Sequence, residues 1–162
     1  MLTLDYLKSI LLYHETENGS SGLPFLTSEA QFLESAGGFD GITELIQSKG
    51  LQTALVLEHN EVGELSFRPG GFHQASQSIW IMRMVGFNDN RRAIQKDTKV
   101  MMQDILRMFA GHEQDEPLKQ WEWGSVPYGA RNAGANYTGY EFTLHFSEDI
   151  DLSYGAIEHR NG

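Results

Sequence analysis

Residues 137–147 alternate almost without exception. Tyr140, Phe142, Leu144 and Phe146 occupy one parity, and Glu141, Thr143 and His145 the other. Successive side chains of a strand point to opposite faces, so this stretch is satisfied only in a sheet with one face buried. Something apolar must cover that face. The best candidate is the helix predicted over residues 89–110, where Ile94, Met101, Ile105 and Met108 recur at near-heptad spacing and Met102, Leu106 and Phe109 widen the stripe. The Met-rich face reads as ordinary core packing. A strand that needs a lid and a helix that needs a floor together predict an α+β domain with a mostly antiparallel sheet and one long helix on a face.

The rest of the chain supplies further elements. Residues 53–59 (TALVLEH) and 65–68 read as a hairpin turning near Gly63, ended by Pro69, Gly70 and Gly71. Residues 77–87 are the longest apolar stretch, with Trp80, Met82 and Met84 on one parity and Ile79, Ile81 and Val85 on the other, as in a central strand covered on both faces. Residues 119–126 place Trp121 and Trp123 at period two and read as another strand. Residues 127–136 (PYGARNAGAN) read as a mobile loop. Upstream, Leu4, Leu7 and Leu11 have helical spacing, and residues 15–22 (ETENGSSG) read as a polar, flexible loop. Ser28 and Gln31 form a capping-box pattern opening a second helix that Gly37 and Gly38 would stop. Asp40 can cap a third, carrying Ile42, Leu45 and Ile46, with Gly50 as its C-terminal glycine. With no repeat and no linker, residues 1–162 read as a single domain: a helical N-terminal extension over 1–38 and an α+β core over 40–154.

Charge and composition narrow the function. The 162 residues carry 22 acidic and 12 basic side chains, a formal net charge of −10. Nucleic acids are bound chiefly by neutralising phosphates with Lys and Arg, and the densest basic pair, Arg91 and Arg92, is flanked by Asp89 and Asp97, so neither nucleic acid nor an anionic membrane surface is an expected partner. The absence of cysteine excludes thiolate metal sites, disulfides and thiol nucleophiles. The N-terminal helix carries Asp5 and Lys8 and lacks a basic leader pattern, and no apolar run approaches the ~20 residues of a membrane span. A soluble protein is expected.

Chemical motifs are weak. Residues 112–116 (HEQDE) come nearest to a zinc-protease signature but have Glu116 where the second His belongs, and Gly111 and Pro117 bracket them as a solvated acidic loop. Residues 147–151 (SEDID) hold three carboxylates, without the Gly and twelfth-position Glu of an EF-hand calcium loop. Gly129, Gly134 and Gly139 precede a strand and lack the Lys-Ser/Thr of a phosphate loop. Six dispersed histidines form no recognisable set. No catalytic, cofactor-binding or metal-binding residue is therefore assigned. A small cytosolic enzyme or a ligand- or metal-binding domain remains the alternative. The best-composed contact surface is residues 127–136, with Arg131 among small residues, flanked by Trp121, Trp123, Tyr128 and Tyr137, because interface cores favour aromatics and Arg.

The order of elements carries a resemblance. A hairpin, the strand Ile79-Trp80-Ile81-Met82-Arg83-Met84, a short turn into a helix ending Asp104-Ile105-Leu106, and the closing strand Gly139-Tyr140-Glu141-Phe142-Thr143-Leu144-His145-Phe146 resemble the tail-terminator and tail-completion proteins of tailed bacteriophages over about residues 40–150. The resemblance is one of layout and rests on no short motif. It implies a non-enzymatic subunit without cofactor, made in the bacterial cytoplasm and then located in the virion tail or neck. Its partners would be copies of itself, in a ring, and other virion tail and neck proteins. Residues 1–38 depart from the smaller members of that family.

Overall fold

The computed structural model describes residues 2–36, 38–59, 62–65 and 72–149. The strand read over residues 137–147 is β8 (Tyr137–Asp149), paired along its whole length with the equally long β6 (Phe72–Met84), from Phe72 opposite Asp149 to Met84 opposite Tyr137. Around this ribbon lie β3 (Phe32–Ser35), β4 (Thr53–Glu58) and β7 (Tyr128–Ala133), in the order β3-β4-β6-β8-β7. Strand β5 (Val62–Leu65) pairs with the early part of β6, end to end with β4. Among the described residues only β3 and β4 run parallel. The α+β class with an antiparallel-dominated sheet is thus present.

Both faces are covered. On one, Leu55, Leu57, Ile79, Ile81, Phe142, Leu144 and Phe146 pack with Met102, Ile105 and Phe109 of α3 (Arg91–Gly111) and with Leu7, Ile10 and Leu11 of α1 (Leu4–Leu11). On the other, α2 (Gly38–Lys49) presents Ile42 and Ile46 to Leu33, Val56, Trp80, Met82 and Tyr137. The alternation of β6 into two apolar sets has this two-sided burial as its cause. Residues 2–36 are no helical appendage, since α1 shares the core of α3 and β3 is a strand of the main sheet.

Several local expectations are corrected. Residues 15–22 are not a loop: β1 (His14–Thr16) and β2 (Gly19–Ser21) form a small hairpin whose turn is Glu17 and Asn18, followed by Gly19 at φ +129°. The capping box at Ser28 forms, yet it opens only a three-residue 3-10 turn (Glu29–Gln31) before β3. Gln31 explains the brevity: its side chain accepts from the backbone N–H groups of Thr27 and Ser28 and donates to the carbonyls of Phe25 and Thr53, fixing the turn to the start of β4. Asp40 lies inside the first turn of α2, where its charge favours the helix dipole, rather than at the cap. Asn90 caps α3 by accepting from Ala93 N–H, while Asp89 closes the preceding turn on Gly86 N–H. The expected hairpin of residues 53–59 with 65–68 is replaced by a different pairing: β5 begins earlier, at Val62, and β4 and β5 each pair with β6 and not with one another; residues 1, 37, 60–61, 66–71 and 150–162 lie outside those described.

The largest correction concerns residues 119–136. The expected strand over 119–126 does not form: Lys119 ends a short helix, α4 (Glu116–Lys119), and the residues after it run as turns whose one ladder contact is an isolated bridge from Trp121 to Phe146. The two tryptophans at a spacing of two do not mark a strand here: Trp123 packs against Trp121, ring centroids 3.8 Å apart and planes inclined at 40°. The expected loop contains β7. As an outermost strand its residues are mostly exposed, so it shows no apolar alternation.

Candidate interface

The five residues expected to form one contact surface divide between the two faces and the interior. Trp121 is 5% exposed and meets Phe109 edge-on at 5.9 Å, within the α1–α3 core. Its indole Nε1 has no hydrogen-bond partner among the described residues. Tyr137 is 2% exposed on the α2 face, donates its hydroxyl to Leu51 O at 2.7 Å, and is held protonated beyond the ordinary tyrosine range by burial. Neither presents a surface in the folded chain. Trp123 and Tyr128 do, at 40% and 54% exposure.

Tyr128 sits opposite Phe142 in the β7–β8 register, on the α3 face. Lys99 of α3 lies 5.2 Å from its ring centroid, and Tyr140 packs beside it at 6.0 Å. Arg131 is three residues further on and points to the α2 face, where its Nε donates to Glu141 Oε2 at 2.9 Å. Its charge is therefore matched within the chain, and Arg131 and Tyr128 lie on opposite sides of one edge strand.

The β7–β8 turn is held by a residue that composition did not single out as an anchor. Arg91, the first residue of α3, donates to Asn132 Oδ1 at 2.8 Å, to Tyr137 O at 3.2 Å and to Ala135 O. Gln95 continues the contact one helical turn later, donating to Thr138 Oγ1 at 2.9 Å. Gly134 takes the positive φ, +67°, that the turn demands. An i, i+4, i+8 row of α3 (Arg91, Gln95, Lys99) thus clamps the outer strand, which is why this segment is a strand and not a mobile loop.

The dispersed polar residues make small local pairs. His112 Nδ1 lies 3.1 Å from Asp115 Oδ2, which also accepts from the Tyr6 hydroxyl at 2.8 Å, tying α1 to the α3–α4 junction. Ser76 Oγ and His145 Nδ1 are 2.8 Å apart on the α2 face of the sheet. Among the described residues, no three His, Asp or Glu side chains come together as a metal site. The carboxylates of residues 148–151 lie outside the described side chains. No helix among the described residues is long and apolar enough to cross a membrane. An open cleft of about 670 Å3 lies between the Pro24–Gln31 segment and α3, with Phe25, Leu51 and Met101 as apolar walls and Arg83 as its charged group.

Comparison with protein-family models, with curated proteins and with solved structures finds no match to this chain.

Proposed function

We propose that this chain is a non-enzymatic assembly subunit that builds a ring, of the tail-terminator or head–tail-joining kind, made in a bacterial host and incorporated in a virion tail or neck. The observation that carries the reading is β7. It is an outermost strand with no paired neighbour on its outer side among the described residues, and its flank presents Tyr128 and, just before it, Trp123 as exposed aromatics. Sheet edges and amphipathic rings are what association uses: backbone groups supply affinity and aromatics supply area at small entropic cost. Because Arg91, Gln95 and Lys99 already fix β7, copies joining along it lose little further freedom on binding.

Sedimentation velocity of the full chain over a wide concentration range, with and without a phage tail-tube protein, tests the reading. A discrete ring-sized species is expected, and Tyr128→Glu should reduce it while the melting temperature stays within a few degrees. A wild-type chain that remains a monomer at every concentration, alone and with tube protein, refutes it.

A second reading, a ligand-binding domain, is favoured by the cleft at Arg83. The guanidinium lies 3.9 Å from Asp97, a loose pair that an incoming carboxylate could replace. Calorimetric titration with a hydrophobic carboxylate such as decanoate would detect it.

A further inference from the structure

The two outer edges of the sheet carry opposite charge, although the chain as a whole is strongly acidic. Residues 83–99 hold Arg83, Arg91, Arg92, Lys96 and Lys99, five of the 12 basic residues of the chain. Helical geometry, at 100° per residue, separates the charges of α3 by side. Arg91 and Lys99 reach β7 and Tyr128, and Arg92 and Lys96, both exposed, extend the same flank. Asp97 lies on the other flank, toward Arg83 of β6. The β7 edge therefore presents a row of cations, with its own Arg131 already matched by Glu141.

The opposite edge is β3 and the segment leading into it. Residues 9–48 contain no Lys or Arg. Glu29, in the turn before β3, and Glu34, within it, are both exposed, as are Glu15 and Glu17 in the β1–β2 hairpin. Among the described residues, His59 Nε2 lies 3.3 Å from Glu34 Oε2.

The geometry points to a head-to-tail interface between copies of this chain, in which the basic β7–α3 edge of one subunit meets the acidic β3 edge of the next. This rests on the assembly reading above and adds which surfaces meet. Like edges repel: two β7–α3 flanks would oppose cation to cation, and two β3 edges carboxylate to carboxylate, so a two-fold dimer through either edge is disfavoured. Joining unlike edges leaves one of each free on every growing chain of subunits, which is the condition for a closed ring or an open filament. The second copy suits the basic flank better than nucleic acid does, because exposed Glu29 and Glu34 supply an acidic counterpart at the β3 edge of the same molecule.

A reciprocal charge reversal tests this on the full-length protein. Arg92→Glu/Lys96→Glu makes both edges acidic, and Glu29→Lys/Glu34→Lys makes both edges basic. All four positions are exposed, and a thermal melt of each variant checks that it is folded. Each variant alone is expected to associate at least tenfold more weakly than wild type at low salt, and an equimolar mixture should restore the wild-type assembly with the two variants alternating. Wild-type association should also weaken steeply between about 50 and 500 mM salt, as exposed charges are screened. If wild type assembles and both variants assemble equally well alone, or the mixture fails to recover, the edge assignment is wrong while the assembly reading stands. If wild type never assembles, both fail. Binding of duplex DNA by a monomeric wild type, lost in Arg92→Glu/Lys96→Glu, would overturn the inference in favour of a nucleic-acid surface.

Discussion

Replacing Phe142 with Ala tests how α3 sits on the sheet. Phe142 is fully buried on β8, opposite Ile79 of β6, in the cluster that contains Ile105 of α3. Removing the ring sacrifices its transfer free energy and leaves a cavity that the two long strands and the helix cannot collapse into, so a loss of about 3–5 kcal/mol is expected. For a chain of this size each kcal/mol moves the melting temperature by roughly 2–4 °C, giving a fall of about 6–20 °C. Tyr128 is the internal control. It lies directly opposite Phe142 on the next strand and on the same face, yet is 54% exposed, because the apolar stripe of α3 packs on β8 and only Lys99 of that helix reaches over the tyrosine ring. Truncating it should cost less than about 1 kcal/mol, as surface changes usually do. Urea unfolding followed by circular dichroism, at concentrations too low for association, measures both, with an unchanged m-value certifying comparable unfolding. A loss below about 1 kcal/mol at Phe142, or an equal loss at Tyr128, would refute the placement of α3.

Gly139→Ala should destabilise at the upper end of the roughly 1–3 kcal/mol typical of overpacking, because an added Cβ would collide with Ile81 O and lie 2.9 Å from Met82 Cα where β6 and β8 approach; a melting temperature equal to wild type would count against the β6–β8 register. Tyr6 carries a pH signature. Burial first, and then its hydrogen bond to Asp115, hold its hydroxyl protonated well above the ordinary tyrosine range. The folded chain therefore retains a proton that the unfolded chain releases, so this contribution is complete below about pH 10 and is lost as pH rises above it. Urea midpoints between pH 9 and 11 should fall more steeply for wild type than for Tyr6→Phe; parallel slopes would remove Tyr6 from the account.

What the sequence disclosed followed from burial. The strand of residues 137–147 and the helix of 89–110 were legible because each hides one face and exposes the other, which writes a period of two or 3.6 into the residues. β6 was legible because two covered faces make an apolar run. β7 was not, since an edge strand whose side chains are mostly in solvent has no period to show; its cause is remote, in Arg91 and Gln95 of α3 and in Gly134 at the turn. The β1–β2 hairpin is exposed throughout and was missed for the same reason, though Asn18-Gly19 is a recognisable turn signal. Composition gathered Trp121, Trp123, Tyr128, Arg131 and Tyr137 correctly as neighbours along the chain. It could not say that Trp121 and Tyr137 point inward or that Tyr128 and Arg131 lie on opposite faces, because those facts depend on strand register.

An edge strand open to any partner is an aggregation hazard, and among the described residues β3 and β7 stand at the two ends of the main strand order. Their lengths, four and six residues, limit the ladder either can offer. The chain before β7 adds a second limit. The backbone keeps contact with β8 at Gln120, Glu122 and Pro127, but the intervening residues leave that line, so the outer edge of β7 cannot extend toward Trp121. Charge adds the third. At net −10, copies repel over the ~8 Å range left by physiological screening, and an approach becomes favourable only where the basic flank of α3 faces an acidic surface. Orientation is then selected before backbone groups come within hydrogen-bonding distance. In the proposed assembly that ordering of forces would reconcile an unpaired edge with a chain that must not polymerise at random: the short ladder would contribute affinity only after the charges had chosen which edges meet.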